Sequence, residues 1–254
     1  EGPHLATYAY EIGNPSLTAE RGWGSDLLLR ITRRRFVADV SAYRMWIDGL
    51  VYQAPLLDAA TGGPLLDPRL RRYQVYQANQ TRATLTGAEA RVQWELARGW
   101  AVDGTASYVR GVRNVADSAA GIPSGAPLPA MPPARGRVQL RRDGVRWLTG
   151  VTLEGALAQG RVPAPAGQTA SCTASTTLDG VISGLRPAEF CPTAGFALLH
   201  VIVGRRWVIG RRLHAITLGV DNVFDADWRD HLWRAKQVAP QPGRNVRLLY
   251  RVSL

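Results

Sequence analysis

The stretch AEARVQWEL, residues 88–96, alternates without a break. Ala88, Ala90, Val92, Trp94 and Leu96 stand at even positions, and Glu89, Arg91, Gln93 and Glu95 at odd ones. Successive side chains of an extended chain point to opposite faces, whereas a helix would scatter these residues around its axis. The stretch therefore predicts a strand with one apolar and one charged face. The same period recurs along the chain. Phe36, Ala38, Val40 and Ala42 oppose Asp39 and Ser41, and Arg135, Arg137, Gln139 and Arg141 oppose Gly136, Val138 and Leu140. At the end, Val246, Leu248, Tyr250, Val252 and Leu254 oppose Asn245, Arg247, Leu249, Arg251 and Ser253. Helical periodicity is nearly absent.

Nine strands are expected, at about 24–33, 36–52, 73–96, 99–113, 134–142, 145–158, 195–207, 211–222 and 244–254. Several exceed the usual length of about five or six residues. Four connections are tight, near 33–35, 97–99, 143–144 and 208–210, and Asp143-Gly144 reads as a two-residue hairpin. The others are long, roughly 53–72, 114–133, 159–194 and 223–243. Short and long connections alternate. In an antiparallel meander this puts every tight turn at one end and every long loop at the other.

A soluble β-sandwich has no reason to sort its loops by end. A transmembrane barrel does, and it also needs one apolar face and closure of the backbone hydrogen bonds. The charged face suits a wet or plugged lumen, because unpaired charges in a dry core would be very costly. Trp46, Trp94, Trp100, Tyr108, Trp147, Trp207 and Tyr250 lie near strand ends, as an interfacial girdle would. The expected class is all-β: an up-and-down antiparallel meander forming part of an open outer-membrane β-barrel.

Composition narrows the function. The 254 residues carry a net charge of +11, and Lys236 is the only lysine. Such an excess points to nucleic acid, an anionic membrane surface or an anionic ligand, or else to arginine on solvated faces. No run of 18 apolar residues is present, so no transmembrane helix is indicated. The start, EGPHLATYAY, has no signal-peptide pattern and begins at Glu1, which suggests a fragment. Cys172 and Cys191 share one Gly/Ser/Thr/Pro-rich segment without CxxC or histidine spacing, so a local disulfide is favoured over zinc. His4, His200, His214 and His231 share no metal spacing, although His200 and His214 fall on adjacent strands. No Ser/His/Asp set, P-loop or dinucleotide fingerprint occurs, so neither an enzyme, a cofactor nor a metal site is expected.

Four stretches in order carry a family resemblance. LGVDNVFDADWRDHL (218–232) with PQPGRNVRLLYRVSL (240–254) strongly resembles the C-terminus of TonB-dependent outer-membrane receptors. EIGNPSLTAERGWGSDLLL (11–29) looks like that family's Gly-Asn-Pro-x-Leu-x-x-Glu segment, and YQANQTRATLTGAEARVQWEL (76–96) is similar to its Asn-x-x-x-Ala-x-x-x-Gly-x-Glu strand. ASYVRG (106–111) and PLPAMPPARGRVQL (127–140) look like its Ser-Tyr strand and Pro-rich loop exit. The resemblance implies a barrel of about 22 strands around a plug. Residues 1–254 would be its C-terminal part, with the plug and N-terminal strands absent.

It further implies an outer-membrane receptor that binds a scarce ligand (a ferric siderophore, haem, cobalamin, another metal or a glycan) and imports it with TonB-coupled energy. Expected partners are the TonB complex through the plug, the barrel-assembly machinery, outer-membrane lipid with lipopolysaccharide, and a small-molecule ligand. Trp228, Arg229, His231, Trp233 and Arg234 of the last long loop are candidate ligand contacts. Glu89, Arg91, Glu95, Arg135, Arg137 and Arg141 would face the lumen and plug. Tyr250, Val252 and Leu254 would form the assembly signal, with Leu254 where family members commonly have Phe. A passive porin keeps every physical argument but not the motifs. A soluble nucleic-acid binder is disfavoured, because the aromatics sit on the apolar face rather than among the arginines.

Overall fold

A computed structural model describes residues 2–4, 9–63, 65–67, 73–118, 120–163, 172 and 188–253. The strands are β1 (Gly2–His4), β2 (Ala9–Ile12), β3 (Arg21–Arg33), β4 (Phe36–Pro55), β5 (Gln74–Ala97) and β6 (Trp100–Arg113). There follow β7 (Arg135–Asp143), β8 (Trp147–Ala156), β9 (Phe196–Ile209), β10 (Arg212–Asp221) and β11 (Asn245–Ser253). From β3 to β11 each strand pairs antiparallel with its neighbour in sequence. These are the nine strands of the alternating pattern. Among the described residues β3 pairs only with β4 and β11 only with β10, so the sheet is open.

The tight turns at 34–35, 98–99, 144–146 and 210–211 share one end, and the long loops share the other. Gly99 (φ 78°) and Gly210 (φ 60°) take the positive φ that their turns need. A side chain at Gly99 would also meet the Asp143 carbonyl at 2.8 Å. The expected two-residue hairpin at Asp143-Gly144 is corrected. Asp143 stays in the ladder opposite Leu148, and the turn is 144–146, closed by Gly144 N–H donating to Trp147 O at 2.8 Å. The adjacent strands hold Asp143 there: its N–H donates to Gly99 O at 2.7 Å and Arg206 donates to its carboxylate at 3.0 Å.

Two short strands lay outside the alternating pattern. β5 extends beyond β6, whose register with it begins at Ala83↔Arg113. Along the free edge, β2 pairs in parallel with β5 from Ala9↔Gln74 to Ile12↔Gln77, and β1 pairs antiparallel with β2. Strands of 3 and 4 residues are too short to show a period.

The register lines up the faces. One cross-strand row reads Asp39, Arg91, Thr105, Arg137, Glu154; the next, on the opposite face, reads Ala38, Val92, Gly104, Val138, Leu153. Leu27 (73% exposed), Val138 (52%), Leu153 (55%) and Leu248 (70%) all lie open on the apolar face, so no packed core covers it. An exposed apolar face of this extent marks a surface that water does not cover in the working protein. The small cores sit at the long-loop end: Tyr52, Ala54, Ala120, Ile122 and Ala126 in one, Ala9, Tyr76 and Phe190 in the other. Tyr52 reaches the charged face because a bulge between Ile47 and Leu50, with Gly49 at φ 75°, inverts the parity of β4.

The possible approach of His200 and His214 is corrected by the same parity. His200 faces Glu154 and Asp221 on the charged side, while His214 stacks on Trp207 and Tyr250 on the apolar side.

Candidate functional site

The charged face and the loops above it form the site. Arg137–Glu154 (3.9 Å), Glu154–His200 (3.7 Å), His200–Asp221 (3.3 Å) and Asp221–Arg247 (2.8 Å) run in series from β7 to β11. Arg30–Asp39 (2.6 Å) and Arg141–Asp103 (3.1 Å) flank the series. These pairs are half-exposed, so each contributes only about 0–1 kcal/mol to stability. Their effect is a fixed pattern of charge over the face, able to orient a polar ligand or domain. Glu89, Arg91, Arg135 and Arg137 meet with Asp39 and Glu154 around a hollow of about 560 Å³. Glu95 and Arg141 lie nearer the tight turns and outside that hollow.

Two long loops fold onto this face. In the β6–β7 loop, Asp117 is the centre of a buried polar group. It accepts hydrogen bonds from Tyr52 Oη and from Asn79 Nδ2 (3.2 Å), while Arg113 donates to Tyr52 Oη at 2.8 Å and lies over its ring. Gly111 leaves room for Leu128 and Met131 of the same loop, since a Cβ there would meet both within 2.8 Å.

The β10–β11 loop opens on Asn222, which takes φ 48° and bonds Ala226 through both ends of its amide at 2.9 Å. Asp225 then accepts from Arg244 N–H at 2.6 Å, closing the loop's neck. Beyond it Trp228 packs on Phe196 at 4.5 Å and donates to Pro242 O at 3.2 Å. Arg229 donates to Lys236 O, and Asp230 pairs with Arg135 at 3.0 Å.

His231 and Lys236 are buried. Lys236 Nζ donates to Cys191 O (2.8 Å) and His231 O (2.9 Å), and Cys191 is joined to Cys172 by the expected disulfide. An ammonium only donates, so His231 Nδ1, 3.3 Å from it and 2.9 Å from Thr193 Oγ1, is the bare nitrogen. Burial, and then the Lys236 charge, push His231 down to about 4; burial pushes Lys236 down to about 8 and Glu189 upward.

Trp233 is half-buried and Arg234 exposed. The five loop candidates are thus brought together, with Trp228, Arg229 and His231 turned into the loop's own packing. Sequence reasoning passed over Lys236, Asp230 and the Tyr52–Arg113–Asp117 group. The single lysine of an arginine-rich chain was a signal for the first; nothing local marked the others. Tyr250 lies on the apolar face, 2.6 Å from His214 Nδ1, and Val252 pairs with His214; Leu254 lies outside the described residues. No cluster of three or more His, Cys, Asp or Glu suited to a metal ion occurs among the described residues.

An antiparallel meander with one lipid-type face, one charged face and long loops at a single rim is a portion of an outer-membrane-type β-barrel. Residues 2–223 match the family described as TonB dependent receptor-like, beta-barrel, and the chain belongs to that family. Among solved structures it is similar to the copper transporter OprC, with TM-score 0.64 and 20% identity over 91% of this chain and 31% of that one. It is also similar to the FrpB iron transporter from Neisseria meningitidis (F3-3 variant), with TM-score 0.58 and 16% identity over 94% and 32%. The ferric citrate transporter FecA gives TM-score 0.58 and 16% identity over 91% and 30%. The chain therefore spans about a third of the length of these structures, and identities this low bear on fold alone. No curated protein matches it.

Proposed function

We propose that this chain is the C-terminal portion of an outer-membrane receptor that captures a scarce small-molecule ligand at the cell surface and imports it with TonB-coupled energy. The observation that carries this reading is the folding of two long loops, at 114–134 and 222–244, onto the charged face at one rim. A receptor needs walls against which to hold its ligand, and these two loops supply them above the charged face. Trp233 and Arg234 are the proposed ligand contacts; Trp228, Arg229 and His231 shape the loop that presents them. Glu89, Arg91, Arg135 and Arg137, with Glu95 and Arg141 below, face a plug supplied by another part of the protein, through which the TonB complex acts. Tyr250, Val252 and Leu254 address the barrel-assembly machinery. The similar transporters are named for copper, iron and ferric citrate, so metals and their chelates are the first ligands to try.

The test is uptake in a strain lacking the gene, complemented by the full-length protein, with and without a functional TonB system. Energy-dependent uptake of one of these ligands is expected. Uptake that persists unchanged without TonB would replace this reading with a passive barrel.

A further inference from the structure

Two pairs of adjacent arginines stand where strands approach the tight turns: Arg141-Arg142 on β7 and Arg205-Arg206 on β9. Strand parity divides each pair between the two faces. The inward members find acids, Arg141 with Asp103 at 3.1 Å and Arg206 with Asp143 at 3.0 Å. The outward members find indoles. Arg142 stands opposite Trp100 in the register and Arg205 opposite Trp147, each with its guanidinium 5.5 Å from the ring centre. No carboxylate among the described residues comes within salt-bridge reach of either outward arginine.

A guanidinium stacked on an indole is covered on one face, while its N–H edge stays open to acceptors. Arg142 and Arg205 are both exposed. Their strands lie two spacings apart, about 10 Å, so two cations with free donors stand side by side. Their acceptors must come from outside the chain.

Height on the sheet identifies the setting. Below Arg142 the outward row of β7 continues through Leu140 and Val138, and below Arg205 that of β9 continues through Val203 and Val201. Trp147 likewise opens the row Thr149, Val151 and Leu153 on β8. The cations thus stand at the edge of the apolar band, at the end with the tight turns, which in an outer-membrane barrel is the periplasmic one. Headgroups of the inner leaflet lie at that edge. The turns add to the charge. Residues 34–35, 98–99, 144–146 and 210–211 include the exposed Arg34, Arg35, Arg98, Arg146 and Arg211 and no acid. Their field favours anions at this rim.

We propose that the tight-turn rim selects anionic phospholipids of the inner leaflet, with their phosphates held on the N–H edges of Arg142 and Arg205. A fork of N–H donors matches phosphate oxygens in two-point contacts. A zwitterionic headgroup also brings an ammonium, for which the outward positions of β7, β8 and β9 offer no carboxylate. A headgroup of net negative charge brings acceptors alone. A water-soluble acidic partner would reach the turn tips but not Arg142 and Arg205, which lie sideways against lipid. The proposal rests on the membrane location put forward above.

The test uses full-length protein in phosphatidylcholine nanodiscs doped with phosphatidylglycerol, with bound lipid counted by native mass spectrometry. Wild type is expected to retain phosphatidylglycerol in preference to phosphatidylcholine. R142Q/R205Q is expected to bind it about thirtyfold more weakly, and R21Q/R82Q, which removes two exposed arginines at the opposite rim, to match wild type. R142K/R205K keeps both charges but not the forks, and should bind about threefold more weakly in a barrel that folds as wild type does. Equal retention of the two lipids, full binding by R142Q/R205Q or R142K/R205K, or equal loss in R21Q/R82Q overturns the site. Displacement of the lipid by glycerol phosphate or by hexaglutamate at matched concentration also overturns it, since a free anion or an acidic peptide would then be the occupant. Outer-membrane fractionation separates the two levels. Wild type absent from the outer membrane defeats the underlying reading, whereas wild-type insertion with lipid binding indifferent to Arg142 and Arg205 defeats only the site.

Discussion

Lys236 and His231 show how one buried contact ties two loops together. The Lys236 ammonium has two carbonyl partners, Cys191 O and His231 O, and a neutral imidazole as its neighbour. Lys236→Met would leave two buried carbonyls without donors, at about 1–3 kcal/mol each. Faster amide exchange is expected across 188–193 and 228–238, with the strands unchanged; unchanged loop protection would refute the latch. Acid acts on the same spot. The folded pKa of His231 is about 4, below the ordinary value of 6.5, so the unlatched state binds the proton more readily. Latch stability should hold between pH 6.5 and 8, where Lys236 is protonated in both states, and fall as pH drops from 6.5 toward 4. Loop exchange, corrected for its intrinsic pH dependence, checks the direction. A second residue-scale pair tests the faces: Val138→Arg puts a charge toward lipid, at about 2–4 kcal/mol near the midplane, whereas Gln139→Arg joins the charged face. Membrane assembly should suffer only in the first.

At the scale of elements, the sorted connections are the feature most open to test. Gly144 donates to Trp147 O across a three-residue turn, and the neighbouring Asp143 is bonded to Gly99 and Arg206. By contrast, nothing lies within 4 Å of where a side chain at Gly62 would stand. A short hydrophilic insertion after Gly62 should leave surface expression near wild type, and one after Gly144 should abolish it. Comparable losses at both sites would mean that the two ends have been assigned wrongly. The spans of β3 to β11 were legible because a period of two over nine or more residues leaves little ambiguity. Gly49 escaped notice because one glycine in a strand does not say whether it bends, bulges or merely packs closely. The bulge there is what turns Tyr52 toward Arg113 and Asp117, so this buried polar group of the rim was hidden with it.

For the whole molecule, the open edges decide behaviour. Among the described residues β3 and β11 each have a strand neighbour on one side only, which leaves a row of unpaired backbone groups beside an exposed apolar face. The isolated 254-residue chain should aggregate in aqueous buffer and require detergent, because closure is the way a spanning sheet satisfies its edges. A monodisperse, soluble species by light scattering would contradict the membrane reading of the apolar face.

Alternation along the chain determined the two faces, the strands and the segregation of loops, since side-chain direction in an extended backbone follows from local geometry alone. The spacing of the cysteines likewise pointed to their disulfide. Tertiary structure alone decided which residues meet across strands. Register paired His200 with Glu154 and Asp221 and kept it from His214. Loop folding buried His231 and Lys236, and Arg142 meets Trp100, as Arg205 meets Trp147, only once their strands are aligned. The physical reason is that a period of two fixes orientation within a strand but leaves its sliding against the next strand to turns, bulges and packing.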